Sequence, residues 1–431
     1  MLKTEKECID YIHSLSKFGK KAGLNNIRAL CEKLGNPHKE IRAIHIAGTN
    51  GKGSVSCMVS EILKTQYKVG LYTSPYIEVF NERIQINGEN ISEKDLIYYT
   101  NRVKNACDDI EGFCPIEFEF ITAMGFLFFA EKKCDVVVLE TGLGGRLDST
   151  NIIENPLCCA ICAIGLDHVT ILGDTIEKIA YEKSGIIKQN TPVTLYHHMD
   201  KSALAVIQNV CSQKGAPVVS DVSLCAEKVS RSINGSSFTY NGNDYTLSMV
   251  GQYQINNALV AIDIINAVSA VLPLAQSDIR CGLAKCRWKC RFEVISNGEG
   301  IIILDGAHNC HGVTSFMNEV NVLLGNRKKT FVFGMLNDKD FQDSAELICS
   351  ADADIVVTDV PSYRQTDSGA VYQKVLTLRP DAKYISDYRK AYEYAICQNP
   401  QGAVCVFGSL YLVGALRKKA YNSIEFNQQL K

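Results

Sequence analysis

The chain has 431 residues, of which 46% are hydrophobic and 21% are charged, and its formal net charge is -2. This length exceeds what one hydrophobic core usually organises, so we expect two domains. The composition is that of a globular protein, and the balanced charge argues against nucleic acid or an anionic membrane as a partner. Because the N-terminus begins with charges and every apolar run is too short to span a bilayer, we predict no signal peptide and no membrane helix, and we expect a cytoplasmic protein.

Eighteen cysteines are scattered along the sequence at no repeating interval. Cys159 and Cys162 have C-x-x-C spacing but lie inside the apolar run LCCAICAIGL. Because alternate side chains of a strand face opposite sides, core packing is the expected role of this pair, and metal or redox use is the less favoured alternative. A further group at Cys281, Cys286 and Cys290 is equally unspecific.

The strongest local signal is a glycine-rich turn between a predicted strand and a predicted helix. Residues 41–47 are short, apolar and β-branched, whereas residues 54–64 repeat apolar residues at helical spacing. The turn GTNGKGS between them can aim backbone N–H groups at a phosphate. Lys52 would supply a cation for the outer phosphates, and Ser54 a hydroxyl for a phosphate-bound magnesium ion. A glycine between Lys52 and Ser54 departs from the usual phosphate loop, so an ordinary loop remains the alternative.

Strands that alternate with helices surround this loop. Upstream, residues 4–34 predict two helices with a break at 19–23. Downstream, residues 76–91 predict a functional loop over the site, and helices are expected at 116–132 and 176–187. Strands are predicted at residues 68–72, 135–139, 157–166 and 191–196. Such near-continuous apolar strands indicate a parallel sheet covered on both faces, with ligands beyond the carboxyl ends of the strands.

Four features follow predicted strand ends, namely the glycine-rich loop, Ser74, Glu140 and His168. We therefore expect them to converge, although they are distant in sequence. A hydroxyl, a carboxylate and an imidazole around the phosphates of a nucleotide would form an open magnesium site. Taken singly, Glu140 could cap a helix and His168 could be a hydrogen-bonded loop histidine, and Lys183 would be an ordinary solvated lysine of a helix.

The C-terminal part predicts a second, smaller domain. Residues 226–249 predict β-hairpins with Asn-Gly turns, and residues 251–268 predict a helix. Five short apolar strands separated by helical lengths then predict a doubly wound sheet, at 301–305, 330–333, 355–358, 383–386 and 403–407. Arg291 and Asp305 suit the phosphates and ribose of a nucleotide, although a surface salt bridge would explain them as well.

The motifs together resemble the folylpolyglutamate synthase and dihydrofolate synthase family of ATP-dependent amide ligases, relatives of the bacterial cell-wall Mur ligases. Nine motifs occur in order over nearly the whole chain: GTNGKGS at 48–54, YTSP at 72–75, FNERIQING at 80–88, FEFITA at 118–123, ETGLGGRLDSTN at 140–151, GLDHVTILG at 165–173, EKSGI at 182–186, DGAHN at 305–309 and GSLYLVG at 408–414.

The resemblance implies an α/β fold, with a P-loop parallel-sheet ATPase domain over residues 1–286, a linker over 287–298 and a smaller Rossmann-like glutamate-ligase domain over 299–431. It implies ATP and Mg²⁺ as cofactors. The implied ATP contacts are Asn50, Gly51, Lys52, Gly53, Ser54, Asn257, Arg291 and Asp305. The implied magnesium ligands are Ser74, Glu140 and His168, and Lys183 matches a lysine that the family carries as a carbamate.

The resemblance also implies where the other substrates bind. The segments that correspond to the pteridine site are Gly23, Leu24 and Asn25, then Ile116, Glu117, Phe118 and Glu119, and then Leu147, Asp148 and Ser149. The groups that engage the incoming glutamate are Arg83, His308 and Ser409, and the catalytic residues are Lys52, Lys183 and His308.

Two positions depart from the family pattern. The usual Trp-Pro-Gly-Arg linker has Trp288-Lys289-Cys290-Arg291 here, and Cys310 stands where DGAHN is usually followed by proline. The linker therefore lacks its stiffest and its most permissive residue, which leaves the angle between the domains open.

The implied reaction is phosphoryl transfer followed by acyl transfer. A folate carboxylate attacks the γ-phosphate of ATP, and the amine of L-glutamate then attacks the acyl phosphate. The acceptor stays open between dihydropteroate, a reduced folate monoglutamate, or both, and we expect a monomer. A Mur ligase of the cell wall is disfavoured because only 47 residues precede Gly48. A P-loop kinase or a nucleotide-gated switch is the alternative from another class, and it would not need the second domain.

Overall fold

The computed structural model describes residues 1–16, 23–296, 300–336, 341–361 and 368–429. Its contacts divide the chain into two compact units. The first unit comprises residues 1–165, 169–226 and 256–286, and the second comprises 166–168, 227–255 and 287–431.

Fifteen α-helices lie in the described ranges: α1 Glu5–Ser14, α2 Asn25–Lys33, α3 Lys52–Leu63, α4 Glu93–Asp108, α5 Glu117–Glu131, α6 Val169–Leu172, α7 Ile176–Ser184, α8 Lys201–Gln213, α9 Gln252–Val268, α10 Gln276–Lys285, α11 Cys310–Leu324, α12 Gln342–Cys349, α13 Ser368–Leu378, α14 Tyr388–Gln398 and α15 Leu410–Gln429. None of these helices is long and apolar enough to cross a membrane.

Sixteen strands lie in the same ranges: β1 Ala43–Ala47, β2 Val69–Tyr72, β3 Ile84–Ile86, β4 Glu89–Asn90, β5 Val136–Glu140, β6 Cys158–Ile161, β7 Val193–Leu195, β8 Glu227–Ser232, β9 Gly235–Tyr240, β10 Asn243–Leu247, β11 Glu293–Ser296, β12 Ile301–Leu304, β13 Lys329–Phe333, β14 Asp354–Val357, β15 Lys383–Tyr384 and β16 Ala403–Phe407.

The first unit is built on a seven-stranded sheet with the order β4-β3-β2-β5-β1-β6-β7. The strands β2, β5, β1, β6 and β7 run parallel, and every residue of these five strands is buried. The near-continuous apolar sequences require cover on both faces. Two clusters cover one face: one contains side chains from α2, α4 and α5, and the other contains side chains from α7 and α8. Helix α3 belongs to neither cluster and packs against β1, β2 and β5, with α10 packed against α3.

The edge of this sheet corrects the expectation of one long loop at residues 76–91. Residues 80–83 form a 3-10 helix, and β3 and β4 then form an antiparallel hairpin that pairs with β2. The hairpin turns at Asn87 and Gly88, both with positive φ, of 53° and 83°. Asn-Gly is a strong hairpin signal, so the sequence did contain the information.

The second unit contains a six-stranded sheet with the order β11-β12-β16-β13-β14-β15 and a three-stranded antiparallel sheet with the order β10-β9-β8. Strands β12 to β16 run parallel, as the doubly wound pattern predicted, and β11 adds an antiparallel edge. Its core packs Phe316, Phe331, Phe333 and Phe407 against the aliphatic strand residues.

The compact units and the predicted domains are different divisions of the chain. Residues 227–255, which the sequence analysis placed before the boundary, belong to the second unit, and β11 lies within the predicted linker. The domain boundaries therefore remain a prediction. The predicted helix break at 19–23 lies outside the described residues except for Gly23, and so do linker residues 297 and 298.

Candidate active site

The glycine-rich loop begins at Gly48, directly after β1, and leads into α3 at Lys52. Gly51 precedes the helix with a φ of 86°, a left-handed conformation that glycine adopts without strain. A Cβ atom added at Gly51 would lie 2.5 Å from Oδ1 of Asn257. A larger residue at Gly51 would therefore displace the amide of Asn257, which packs against the loop from α9.

Two lysines donate to the carbonyl groups of this loop. Lys52 Nζ lies 3.0 Å from the oxygen of Gly48 and 3.2 Å from that of Thr49. Lys183, from α7, is only 4% exposed, and its Nζ lies 2.9 Å from the same Gly48 oxygen. The loop thus gathers two cations next to the free N–H groups of a helix N-terminus, which is an arrangement suited to phosphate.

The loop is anchored to the chain that follows β6. The hydroxyl of Thr49 donates to the Gly165 oxygen at 2.9 Å and accepts from the Gly165 N–H at 3.1 Å. The backbone N–H of Thr49 donates to the oxygen of Ala163 at 2.8 Å. These bonds hold the first turn of the loop independently of the glycines.

Ser74 and Glu140 meet at the same edge of the sheet. Glu140 is the last residue of β5, pairs in register with Ile46 of β1, and accepts a hydrogen bond from the Ser74 N–H at 3.2 Å. Cys162 packs against Gly48, because its Cβ would lie 2.7 Å from a Cβ added at Gly48. The thiol of Cys162 interacts electrostatically with Lys52, Glu140 and Lys183. The first unit therefore brings together the loop, Ser74 and Glu140.

These oxygen donors fit a magnesium ion better than a metal held by protein alone. Across the described ranges, no group of three or more His, Cys, Asp and Glu side chains is placed to hold a metal. Glu140 is only 5% exposed, so its carboxylate is costly to bury without a cation close by. Magnesium commonly takes one or two carboxylates and completes its shell with phosphate and water, and this donor set meets that requirement.

His168 belongs to the second unit, where Asp167 links it to two residues of the DGAHN loop. Asp167 accepts a hydrogen bond from the His168 N–H at 2.8 Å and another from Asn309 Nδ2 at 2.9 Å. His308 Nε2 lies 3.9 Å from Asp167 Oδ2, while His308 Nδ1 contacts the Gly306 oxygen at 2.8 Å. If Nδ1 donates to that carbonyl, Nε2 carries the lone pair of the neutral ring.

Asp305 is buried and accepts hydrogen bonds from its own loop and from two residues outside it. Its carboxylate accepts from the N–H groups of Phe292 and Ala307, both at 2.7 Å, and from the Tyr253 hydroxyl at 3.2 Å. Burial raises the pKa of Asp305, and the nearby Arg291 acts in the opposite direction. Arg291 lies beside Gly306, where an added Cβ would be 2.9 Å from its Nη1. The carboxylate thus accepts three hydrogen bonds within the protein, and these bonds stabilise the conformation of the loop.

Of the two departures from the family pattern, only Cys310 occupies a tolerant position. Cys290 has a φ of 54°, a left-handed conformation for which glycine is the usual choice. Cys310 is the first residue of α11, where proline and other residues are both accommodated because the N–H there has no partner within the helix. Ser409, just before α15, is 2% exposed and accepts from the Tyr411 N–H at 3.2 Å.

The segments predicted to bind a pteridine all lie in the first unit. Gly23 and Leu24 precede α2, Asn25 begins it, and Leu147 is 38% exposed. Asp148 has all its oxygen contacts within its own loop: it accepts from the N–H groups of Gly142 and Leu143 at 2.8 and 2.9 Å, and from the N–H and hydroxyl of Thr150 at 3.0 and 2.5 Å. It therefore orders the loop that presents Leu147 and Ser149.

The remaining predicted segment surrounds the start of α5. Glu119 caps this helix by accepting from the Ile116 N–H at 2.8 Å, and burial raises its pKa. Phe118 packs against Gly142, where an added Cβ would lie 2.5 Å from the ring. Glu117 lies 3.8 Å from Nη2 of Arg83.

Arg83 is a buried cation with unused hydrogen-bonding capacity. Its guanidinium lies 5.2 Å from the ring centre of Tyr76 and 5.7 Å from that of Phe80. Its Nε has no hydrogen-bond partner among the described residues. A carboxylate ligand would satisfy it.

With this geometry established, comparison with known proteins identifies the family. Residues 118–265 match the Mur ligase middle domain, and residues 290–410 match the Mur ligase glutamate ligase domain. A dihydrofolate synthase/folylpolyglutamate synthase of Bacillus subtilis is 35% identical over 95% of this chain and 97% of the relative. The chain belongs to the folylpolyglutamate synthase and dihydrofolate synthase family of Mur ligases.

Solved structures of this synthase family agree. A crystal structure of a folylpolyglutamate synthase from Thermotoga maritima is 38% identical, with a TM-score of 0.83, and covers 97% of this chain and 96% of its own. A folylpolyglutamate synthase in complex with AMPPCP and folate is 31% identical, with a TM-score of 0.84, over 97% and 99% of the two chains. The predicted α/β fold class and the ATP-dependent ligase class are therefore confirmed, and a P-loop kinase or switch would not carry the glutamate ligase domain.

Residue-level reasoning missed several groups of the site. Lys183 was read as a solvated lysine, and only the EKSGI resemblance marked it. Asp167 was passed over for its neighbour His168, although an acid beside a histidine after a strand is itself a signal. Thr49 and Tyr253 carried no signal in the sequence, because their importance lies in which loop they contact.

Proposed function

We propose that this chain joins L-glutamate to the carboxylate of a folate, at the expense of ATP, with release of ADP and phosphate. Family membership supports the proposal. The observation in this chain that carries it is the pair of lysines, Lys52 and Lys183, that donate to the Gly48 carbonyl beside the buried Glu140. Lys52 suits the phosphates of a nucleotide as a cation, while Glu140 and Lys183, the latter after the carbamylation proposed below, suit the counter-ion of those phosphates.

ATP would bind along the loop and the start of α3. Backbone N–H groups of Gly51, Gly53 and Ser54 would face the phosphates, and Lys52 would exchange its carbonyl partners for phosphate oxygens. Asn50 would contact the nucleotide through its side chain, because its N–H donates to the Ala163 oxygen at 3.3 Å. That exchange is favourable because charge-assisted hydrogen bonds are stronger than bonds to a neutral carbonyl. Asn257, Arg291 and Asp305 complete the proposed nucleotide contacts.

Ser74, Glu140 and His168 are the proposed holders of a magnesium ion, which when bound would offset negative charge on the phosphates. We also propose that Lys183 is carbamylated: the ammonium loses one proton, the neutral amine nitrogen bonds to the carbon of CO₂ and loses a second proton, and the cation becomes an anion that keeps one N–H. The carbamate nitrogen keeps one N–H, so the hydrogen bond to Gly48 can persist.

The chemistry then proceeds in two steps. An oxygen of the folate carboxylate attacks the γ-phosphorus and ADP leaves, giving an acyl phosphate whose charge Lys52 offsets. The amine of glutamate attacks the acyl carbon, phosphate leaves, and the amide forms as the nitrogen loses a proton. His308, with Nε2 carrying its lone pair, is the proposed acceptor of that proton.

Arg83 is the proposed contact for the glutamate carboxylate, because its buried Nε has no hydrogen-bond partner in the described part of the chain and its guanidinium lies close to two aromatic rings. Ser409 is a further proposed glutamate contact. The pteridine segments proposed are residues 23–25, 116–119 and 147–149. The acceptor can be dihydropteroate, a reduced folate, or both, and the name of the B. subtilis relative carries both activities. The cytoplasmic location and the monomeric state stay predictions.

A four-arm assay tests the proposal: ADP formation is measured with dihydropteroate and with tetrahydrofolate, each with and without glutamate. We expect ADP formation to require both glutamate and at least one of the two acceptors. ATP turnover that is unaffected by acceptor and glutamate would overturn the ligase and favour a switch. The arm that responds identifies the acceptor.

A further inference from the structure

A surface cysteine outside the active site is paired with a histidine. Cys225 is exposed, and its Sγ lies 3.2 Å from Nε2 of His198. Neither residue has a part in the proposed ligase reaction. A thiol within hydrogen-bonding reach of an imidazole is the arrangement that activates cysteine nucleophiles.

The neighbouring residue His197 holds the two segments that carry His198 and Cys225 together. His197, which precedes His198, is fully buried, and its two ring nitrogens lie 2.9 Å from the Leu224 oxygen and 3.0 Å from Asp263 Oδ2. Two consecutive residues of one segment, His197 and His198, therefore contact two consecutive residues of the other, Leu224 and Cys225.

The backbone at His198 adds to this definition. Its φ is 58°, in the left-handed region, and its N–H donates to the Val222 oxygen at 3.4 Å. The backbone at His198 is thus bonded to the segment 222–225, which also carries Cys225.

The other cysteines differ in exposure or in neighbours. All eighteen lie in the described ranges, none of them forms a disulfide there, and of these eighteen only Cys114, Cys225 and Cys397 are exposed. Among the described contacts, Cys225 is the one of these three with a histidine partner. Burial raises the pKa of Cys159 to about 12 and that of Cys211 to about 11, which keeps those thiols protonated.

We propose that Cys225 is a site of covalent modification by small disulfides, with His198 as its general base. His198 Nε2 takes the thiol proton as the Cys225 sulfur attacks one sulfur of the disulfide R–S–S–R. The S–S bond of the reagent breaks, and a mixed disulfide Cys225–S–S–R forms. The leaving RS⁻ takes the proton back from the imidazolium, so the small disulfide is the oxidant and no further electron acceptor is needed.

The test is site-resolved labelling of the native protein with oxidised glutathione at pH 7, followed by peptide mass spectrometry. Cys114 and Cys397 serve as internal controls in the same sample. Because an unassisted thiol is only about a few per cent thiolate at pH 7, an effective base should make Cys225 react about tenfold faster than either control or more. In denaturant the three cysteines should react at similar rates.

The matched variant is His198→Asn, because asparagine tolerates a left-handed φ but provides no base. It should lower the rate at Cys225 to that of the two controls while the far-UV circular dichroism and the melting temperature stay close to wild type. Cys225→Ser should remove the adduct at that position only. Equal rates at all three exposed cysteines of the wild type, or an unchanged rate at Cys225 in a folded His198→Asn protein, would overturn the proposal.

Discussion

Two loops of this protein follow the carboxyl end of a parallel strand, and their backbones bond to side chains of opposite charge. In the loop after β1, the cations Lys52 and Lys183 donate to backbone carbonyls. In the loop after β12, the anion Asp305 accepts from backbone N–H groups. Backbone carbonyl groups therefore bind cations in the first loop, whereas backbone N–H groups bind an anion in the second.

The difference indicates which loop exchanges partners and which keeps its shape. A neutral carbonyl is a weak partner for an ammonium group, and phosphate oxygens can replace it with a gain in strength. Asp305 is buried with three donors, so removing any of them would leave a buried polar group unsatisfied. We infer that the loop after β1 is built to receive a ligand, whereas the loop after β12 is held rigid and presents His308.

The largest expected effect comes from removing the buried lysine of α7 that contacts the first loop. Lys183→Ala should lower kcat by about 10² to 10³-fold, the usual result of losing one preorganised charged contact. Added acetate should partly restore turnover if Lys183 acts as a carbamate. Steady-state kinetics with ATP, folate and glutamate measure both effects. Lys178→Ala, on the same helix but with an exposed side chain, is the matched control and should behave like wild type. Near-normal activity of Lys183→Ala would refute the carbamate.

The packing of the first loop can be separated from its backbone conformation. Gly51 and Gly35 both have a φ of 86°, but a Cβ meets Asn257 at Gly51 and nothing within 4 Å at Gly35. Alanine at either position should cost about 1–2 kcal/mol of unfolding free energy from the left-handed backbone. Only Gly51→Ala should also raise KM for ATP, by about tenfold for each ~1.4 kcal/mol lost from the bound state. Equal KM values in the two variants would show that Asn257 does not confine the loop.

The second loop should respond in stability. Asp305→Asn turns an NH₂ group toward backbone donors and should lower the unfolding free energy by about 1–3 kcal/mol. Asp387, which caps α14 at the surface, also accepts from two backbone N–H groups, and Asp387→Asn should be nearly neutral because asparagine caps helices equally well. Denaturant titrations compare the two. A neutral Asp305→Asn would show that this loop is not held by its carboxylate.

The last effect is confined to acid pH and concerns the contribution of a buried histidine near the first loop to stability. Burial lowers the pKa of His45, in β1, to about 3, whereas an unfolded histidine titrates near ~6.5. Between these pH values the unfolded chain binds a proton that the folded chain does not, so this contribution to stability is complete above about 6.5 and is lost as the pH falls toward 3. Its slope is at most about 1.4 kcal/mol per pH unit. His45→Gln should show a shallower acid loss of unfolding free energy, and the same slope in both proteins would contradict the assignment.

Much of the fold was predictable because continuous apolar strands leave a direct signature. Strands such as β5 and β12 consist of buried β-branched and leucine residues, and the analysis placed both correctly. The edge strands β7 and β15 were predicted, but the antiparallel strands β3, β4 and β11 were missed for a physical reason. β11 is only partly buried and four residues long, so its apolar pattern is weak, and β3 and β4 were hidden in a polar stretch whose Asn87-Gly88 turn was the overlooked clue.

The site was less accessible to reasoning from residues alone. Strand-end position correctly brought Ser74 and Glu140 to the loop, because parallel strands end at one edge. Burial of Lys183 could not be foreseen, since it depends on which loop lies over one face of α7. For Asp148 and Asp305 the sequence shows a carboxylate but not the backbone donors that occupy it.

The most direct measurement of the central claim is the product itself. The protein is incubated with ATP, magnesium, L-glutamate and the folate acceptor that supports turnover, and the folate is analysed by liquid chromatography with mass spectrometry while ADP is quantified in parallel. The account predicts a folate heavier by one glutamate residue for each ADP formed. ADP accumulation with an unchanged folate mass would contradict it.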